Sequence, residues 1–169
     1  MIKKLSLVLT LAFLVVCVDQ LTKIYIQTQF SLHESFPLIE NFFHFTYARN
    51  YGAAFGFLEK TNALFRDTFM LSVPPLVCMI ILSFVYFIEV ESNLTQKDTH
   101  QLVCLGLILG GALGNYLDRL LYGYVIDFID FHFKNYAFPT FNIADTAIVI
   151  GVFSLILSLF KESRHVATD

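Results

Sequence analysis

Four stretches of this 169-residue chain each approach the roughly 20 apolar residues needed to cross a hydrocarbon core of about 30 Å, and they leave few alternatives for the fold. They run from about Leu5 to Thr28, Phe69 to Ile88, Leu102 to Leu121 and Phe141 to Phe160. With 56% hydrophobic residues, 15% charged residues and 19 Phe but no Trp, the chain as a whole is too apolar for an ordinary water-soluble domain. The chain therefore reads as one integral membrane domain over 1–169, with four transmembrane helices. Pro74-Pro75 is expected to kink the second helix or to mark its true start. A net charge of -3 leaves no basic footprint for nucleic acid.

Lys3-Lys4 followed by the run from Leu5 to Val18 has the outline of a signal peptide. No small-residue cleavage site follows, so the segment reads as an uncleaved first helix. Lys3, Lys4, Lys97, Lys161 and Arg164 flank the spans on one side, which favours both termini in the cytoplasm. Arg49, Lys60, Arg66, Arg119 and Lys134 lie on the other side, and long translocated segments carry less weight in that rule.

The longest extramembrane segment runs from about Gln29 to Arg66. Within it, Phe43, Phe45 and Tyr47 alternate with Phe42, His44 and Thr46, a strand pattern that predicts a small sheet on the membrane surface. Gly52 and Gly56 in Arg49-Asn-Tyr-Gly-Ala-Ala-Phe-Gly56 suggest tight turning beside it. Such a sheet could be a simple cap, but Arg49 and Asn50 stand among apolar neighbours and need polar partners there.

Ionisable side chains at membrane depth are costly unless paired, protonated or facing water, and they mark the places to search for function. Asp19 and Lys23 are four apart, so on a helix they share a face and either neutralise one another or brace a neighbouring loop. Asn115, Asp118 and Arg119 fall at i, i+3 and i+4 near the end of the third span, after a run of small residues suited to close helix packing. Asp118 and Arg119 are either an interfacial anchor or part of a site, with an ion pair expected between them.

Asp127 lies in Val125-Ile-Asp-Phe-Ile-Asp-Phe131. As a strand this segment puts Asp127 and Asp130 on opposite sides; as a helix it makes them neighbours. Asp145, three residues after Asn142, begins the fourth span, where a helix dipole alone would favour a carboxylate. Cys17, Cys78 and Cys104 are scattered within the spans and read as packing residues, and the five His show no metal-ligand spacing. No metal and no cofactor is expected.

Five motifs in order carry a resemblance: Asp19-Gln-Leu-Thr-Lys23, Arg49-Asn-Tyr-Gly-Ala-Ala-Phe55, Gly114-Asn-Tyr-Leu-Asp-Arg119, Val125-Ile-Asp-Phe128 and Phe141-Asn-Ile-Ala-Asp145. Together they resemble the bacterial lipoprotein signal peptidases, also called signal peptidase II, from the first helix to the fourth. The resemblance implies an aspartic endopeptidase of the inner membrane. Its substrates would be prolipoproteins bearing a lipobox and a diacylglyceryl cysteine, cut just before that cysteine. It assigns Asp127 and Asp145 as the catalytic pair and Asn50, Asn115, Arg119 and Asn142 as residues that hold substrate or brace the aspartates. Asp118 would orient Arg119, Asp19 and Lys23 would support the surface sheet, and that sheet would meet lipid and signal peptide. Sensitivity to globomycin-type inhibitors is implied, as is an active site facing the outer side of the membrane. The rival from another class is a small transporter or channel that conducts ions along Asp19, Lys23, Asp118, Arg119, Asp127 and Asp145.

Overall fold

A computed structural model of the chain describes residues 2–52, 61–87, 95–133 and 136–166. Ala53, Ala54 and Phe55 of the second motif, together with Gly56, Lys60, Lys134 and the expected end of the second span at Ile88, lie outside the described residues. Among those described, the order is α1 (Ile2–Gln29), β1 (Ser35–Ile39), β2 (Phe43–Asn50), α2 (Ala63–Phe87), α3 (Gln96–Tyr122), β3 (Val125–Phe133), β4 (Tyr136–Ala137) and α4 (Ile143–Val166). All four helices contain segments long and apolar enough to cross a membrane: Lys3–Gln29, Ala63–Phe87, Asp98–Tyr122 and Ile143–Phe160.

The bundle is inside out relative to a soluble protein. Phe13, Leu21, Ile80 and Phe153 each expose 62–67% of their surface, as side chains facing acyl chains would. α3 is the central helix and packs against the other three. Its core face carries Leu102, Leu105 and Leu109, which meet Val8 and Ala12 of α1 and Cys78, Ile81 and Val85 of α2. Lipid tails are as apolar as these side chains, so close backbone approach has to supply much of the association. Gly110 and Gly111 provide it. A Cβ at Gly110 would stand 2.7 Å from Val15 Cβ and 2.8 Å from Ala12 O, and one at Gly111 would collide with Ala144 O.

Several boundaries differ from the sequence reading, each for a local reason. α2 begins at Ala63, inside the stretch expected to be extramembrane, because Asn62 Oδ1 caps Leu64 N at 2.9 Å. Arg66 and Asp67 pair with each other at 2.9 Å in its first turn. Pro74-Pro75 therefore lies within the helix and does not start it. α3 starts early at Gln96 because Thr95 and Asp98 form a reciprocal capping box. α4 starts at Ile143, since Phe141 still bridges to Ile129 in the sheet.

The sheet is antiparallel with strand order β1-β2-β3-β4. Its first two strands come from the predicted segment. The connection between α3 and α4, whose strand or helix character was open, supplies β3 and β4. Gly123 makes the entry to β3 abrupt: at φ 77 it takes the left-handed conformation that favours glycine, and its N–H bonds Arg119 O to close α3. Ile26 from the top of α1 packs with Tyr47, Ile126 and Phe128 and ties the sheet to the bundle.

Candidate active site

The site is assembled where the α3–β3 and β4–α4 junctions meet the top of α1. Asn142 caps α4, accepting the Asp145 N–H at 2.9 Å on its side-chain oxygen and donating its own backbone N–H to Asp145 Oδ2 at 3.3 Å. Asp145 is thus a first-turn carboxylate, as the macrodipole argument allows, and the cap leaves its Oδ1 to another partner. Asn115 Nδ2 donates to that Oδ1 at 2.7 Å.

Asp127 sits on β3 opposite Ala48 of β2, beside an irregularity in the register between Phe45 and Ala48. It is 1% exposed, and both oxygens are used. Asn142 Nδ2 donates to Oδ1 at 2.7 Å and Asn50 Nδ2 to Oδ2 at 3.1 Å. Asn142 therefore touches both aspartates, one through its side-chain amide and the other through the helix cap. Burial, with the Asp145 carboxylate adding to it, pushes Asp127 up to about 7. Strand geometry sends Asp130 to the other face, where Thr46 Oγ1 donates to it at 2.7 Å and His132 Nε2 lies 3.0 Å away. Asp130 has no part in the pair.

Below these groups, Lys23 is buried to 1% exposure with its ammonium among three oxygens: Asp19 Oδ2 at 2.8 Å, Asp118 Oδ2 at 2.9 Å and Asn115 Oδ1 at 3.0 Å. Its three protons match three acceptors. The Lys23 contact also settles which way the Asn115 amide points, leaving Nδ2 to face Asp145.

Two contacts expected from the sequence are made with other partners. Asp118 does not pair with Arg119, because both of its oxygens are taken by other donors. Its carboxylate turns to Lys23, to Gln20 Nε2 at 2.8 Å and to the Ile126 N–H at 3.0 Å. Asp19 reaches the start of α4, accepting the Ala144 N–H at 2.9 Å, so the Asp19 and Lys23 pair braces α3 and α4 more directly than the sheet. Arg119 donates to Asn115 O at 3.3 Å and to Gly52 O at 3.0 Å. Gly52 N–H in turn bonds Asn50 Oδ1 at 3.0 Å, so Arg119 fixes the turn that carries Asn50. The buried Arg119 Nε has no hydrogen-bond partner among the described residues.

The nine site residues that the resemblance names thus lie in one connected network, with Asp19, Lys23 and Asp118 as its base and Asn50, Asn115, Arg119, Asn142, Asp127 and Asp145 above, while Arg49 stands outside it and donates to Tyr47 Oη at 3.2 Å. Gln20 was overlooked. It donates to Asp118 and, at 3.3 Å, to Gly114 O, and the available signal was a second polar residue beside Asp19 inside an apolar run.

Fold and site together define an integral membrane protein with an acidic, amide-lined centre at one end of its helical bundle. A family model described as signal peptidase (SPase) II matches residues 11–161. The lipoprotein signal peptidase of Syntrophus aciditrophicus is 44% identical over 163 residues, covering 96% of this chain and 98% of that protein. That of Moorella thermoacetica is 44% identical and covers 87% and 88%. A solved structure described as a bacterial membrane enzyme superposes with a TM-score of 0.78 at 36% identity, covering 92% of this chain and 88% of its own. The chain belongs to the signal peptidase II family and is a multi-pass membrane peptidase of the bacterial inner membrane. The ion-pathway reading finds no support in these matches.

Proposed function

We propose that Asp127 and Asp145 form the catalytic dyad of an aspartic endopeptidase that removes signal peptides from lipoprotein precursors. The relatives named lipoprotein signal peptidase supply the substrate class. The observation that carries the dyad is the contact of Asn142 with both carboxylates, which places two acids in one amide-lined site. Two such acids do not ionise independently, so the pair holds one proton near neutral pH. The ionised member takes a proton from a water molecule as its oxygen attacks the scissile carbonyl carbon. The protonated member donates to the carbonyl oxygen, and collapse of the tetrahedral species passes a proton to the leaving nitrogen. Asn50, Asn115 and Asn142 orient the carboxylates. Arg119, whose buried Nε has no hydrogen-bond partner among the described residues, is suited to a substrate backbone carbonyl.

The scissile bond lies before the diacylglyceryl cysteine of a lipobox, and the aromatic sheet surface around Phe42, Phe43 and Phe131 meets the lipid-borne substrate. Both termini face the cytoplasm, so cleavage occurs at the outer face of the membrane. The direct test is a mobility-shift assay with one prolipoprotein prepared with and without its diacylglyceryl group. Only the modified form is expected to be cut, and a globomycin-type peptide is expected to block the reaction. Equal cutting of both forms removes the lipid requirement.

The pH dependence has a definite sign. Asp127, with its carboxyl at about 7, loses the shared proton as pH rises through that value. Activity should fall on the alkaline side by about tenfold per pH unit. A kcat/KM profile flat from pH 6 to 9 would remove the single-proton mechanism.

Replacing Arg119 by Lys keeps the charge but loses the planar fork that spans Asn115 O and Gly52 O. Processing by Arg119→Lys should drop by roughly 10- to 100-fold, since misplacing site groups by about 1 Å can cost on the order of 100-fold. Wild-type turnover by that variant would take Arg119 out of the site.

A further inference from the structure

Two other carboxylates, Asp19 and Asp118, are fully buried, and the proposed reaction uses neither. Each accepts one backbone N–H from outside its own helix. Asp19 Oδ1 takes that of Ala144 at 2.9 Å, and Asp118 Oδ2 takes that of Ile126 at 3.0 Å. Ala144 and Ile126 are the residues immediately before Asp145 and Asp127. The two carboxylates are then joined through a single ammonium, that of Lys23, at 2.8 and 2.9 Å.

We propose that Asp19, Lys23 and Asp118 are positioning residues that set the spacing of the catalytic pair. Asp19 fixes the backbone entering Asp145, Asp118 fixes the backbone entering Asp127, and Lys23 locks the two anchors together. The proposal rests on the reading of Asp127 and Asp145 as the dyad. A plain stabilising ion pair does not account for this arrangement. One cation does not balance two ionised carboxylates, and apolar packing often serves stability as well as a buried ion pair does. Nor does a stabilising pair require both acids to reach the peptide unit beside a reacting residue. The Ala144 N–H lies in the first turn of α4, where the helix itself offers no acceptor. The third Lys23 contact serves the same end, since it turns the Asn115 amide toward Asp145.

The test separates the acceptor from the charge. Asp19→Ala and Asp118→Ala remove both, whereas Asp19→Asn and Asp118→Asn keep an oxygen at the same position. Each is assayed in detergent on a diacylglyceryl-modified prolipoprotein, with kcat and KM resolved and Asp127→Asn run in parallel. The Ala variants are expected to lose about 100-fold in kcat with KM within about threefold of wild type. The Asn variants should recover kcat to within about tenfold of wild type, even where their unfolding temperature falls. Where an Ala variant does not fold, the corresponding Leu variant, which fills the space without an acceptor, replaces it. Equal kcat for Asn and apolar variants, or a change confined to KM, overturns the proposal. If Asp127→Asn is inactive while the apolar variants turn over normally, the positioning role alone is lost. If Asp127→Asn retains wild-type kcat, the dyad reading falls and the positioning role falls with it.

Discussion

Asparagine in place of either Asp127 or Asp145 is expected to lower kcat by roughly four orders of magnitude or more, the scale seen when one member of a catalytic unit is removed. The amide is close in shape and keeps one oxygen acceptor, so the loss reports chemistry and not collapse of the site. Folding provides an independent check for Asp127. Its carboxyl is pushed up to about 7 when folded, from an ordinary value of 3.8. Between those pH values the folded chain holds a proton that the unfolded chain has released. Wild-type stability therefore declines as pH rises from about 4 to about 7, and the deficit is fully present above 7. A difference of about three pKa units corresponds to about 4 kcal/mol. Asp127→Asn carries no such penalty. It should be inactive yet unfold later than wild type in detergent at pH 8, with the advantage shrinking toward pH 4. A variant that is inactive and also less stable at pH 8 would point to a structural role for Asp127.

A group held at such a cost marks a site kept for function, and the way the sequence announced it is instructive. The four spans were legible because apolar length is a one-dimensional property, and lipid imposes it on each helix separately. Starts were less legible because they depend on single caps: Asn62, Thr95 and Asn142 each begin a helix at a position that hydropathy does not mark. β3 was ambiguous for a different reason. Its first four residues, Val125 to Phe128, are all buried, so the alternation that identifies a half-exposed strand is muted. The site residues were legible as a set, through polar side chains in apolar surroundings and through a family resemblance spread along the chain. Their partners were not. Asp118 adjoins Arg119 in sequence, yet its contacts are Lys23, 95 positions earlier, and a strand amide across the Gly123 turn. Only the fold brings those groups together.

The same buried base makes Lys23→Met the substitution with the largest expected effect on stability. Methionine approximates the length of lysine and would leave the packing nearly intact, but the ammonium at 2.8 to 3.0 Å from three oxygens disappears. Asp19 and Asp118, both fully buried, would face each other without a cation. Breaking a buried pair by removing one partner costs about 3–5 kcal/mol, a large part of the 5–15 kcal/mol that usually holds a domain together. The unfolding midpoint in detergent should drop accordingly, and little folded protein should be recovered from membranes. Arginine is no remedy, since a planar fork does not fit three acceptors converging on a point in a cavity that leaves lysine 1% exposed. The remedy is neutralisation. Combining Lys23→Met with Asp19→Asn and Asp118→Asn removes the stranded charges and keeps oxygen acceptors for the Ala144 and Ile126 amides, so most of the lost stability should return. If Lys23→Met alone unfolds at the wild-type midpoint, the buried carboxylates do not depend on the ammonium for their stability.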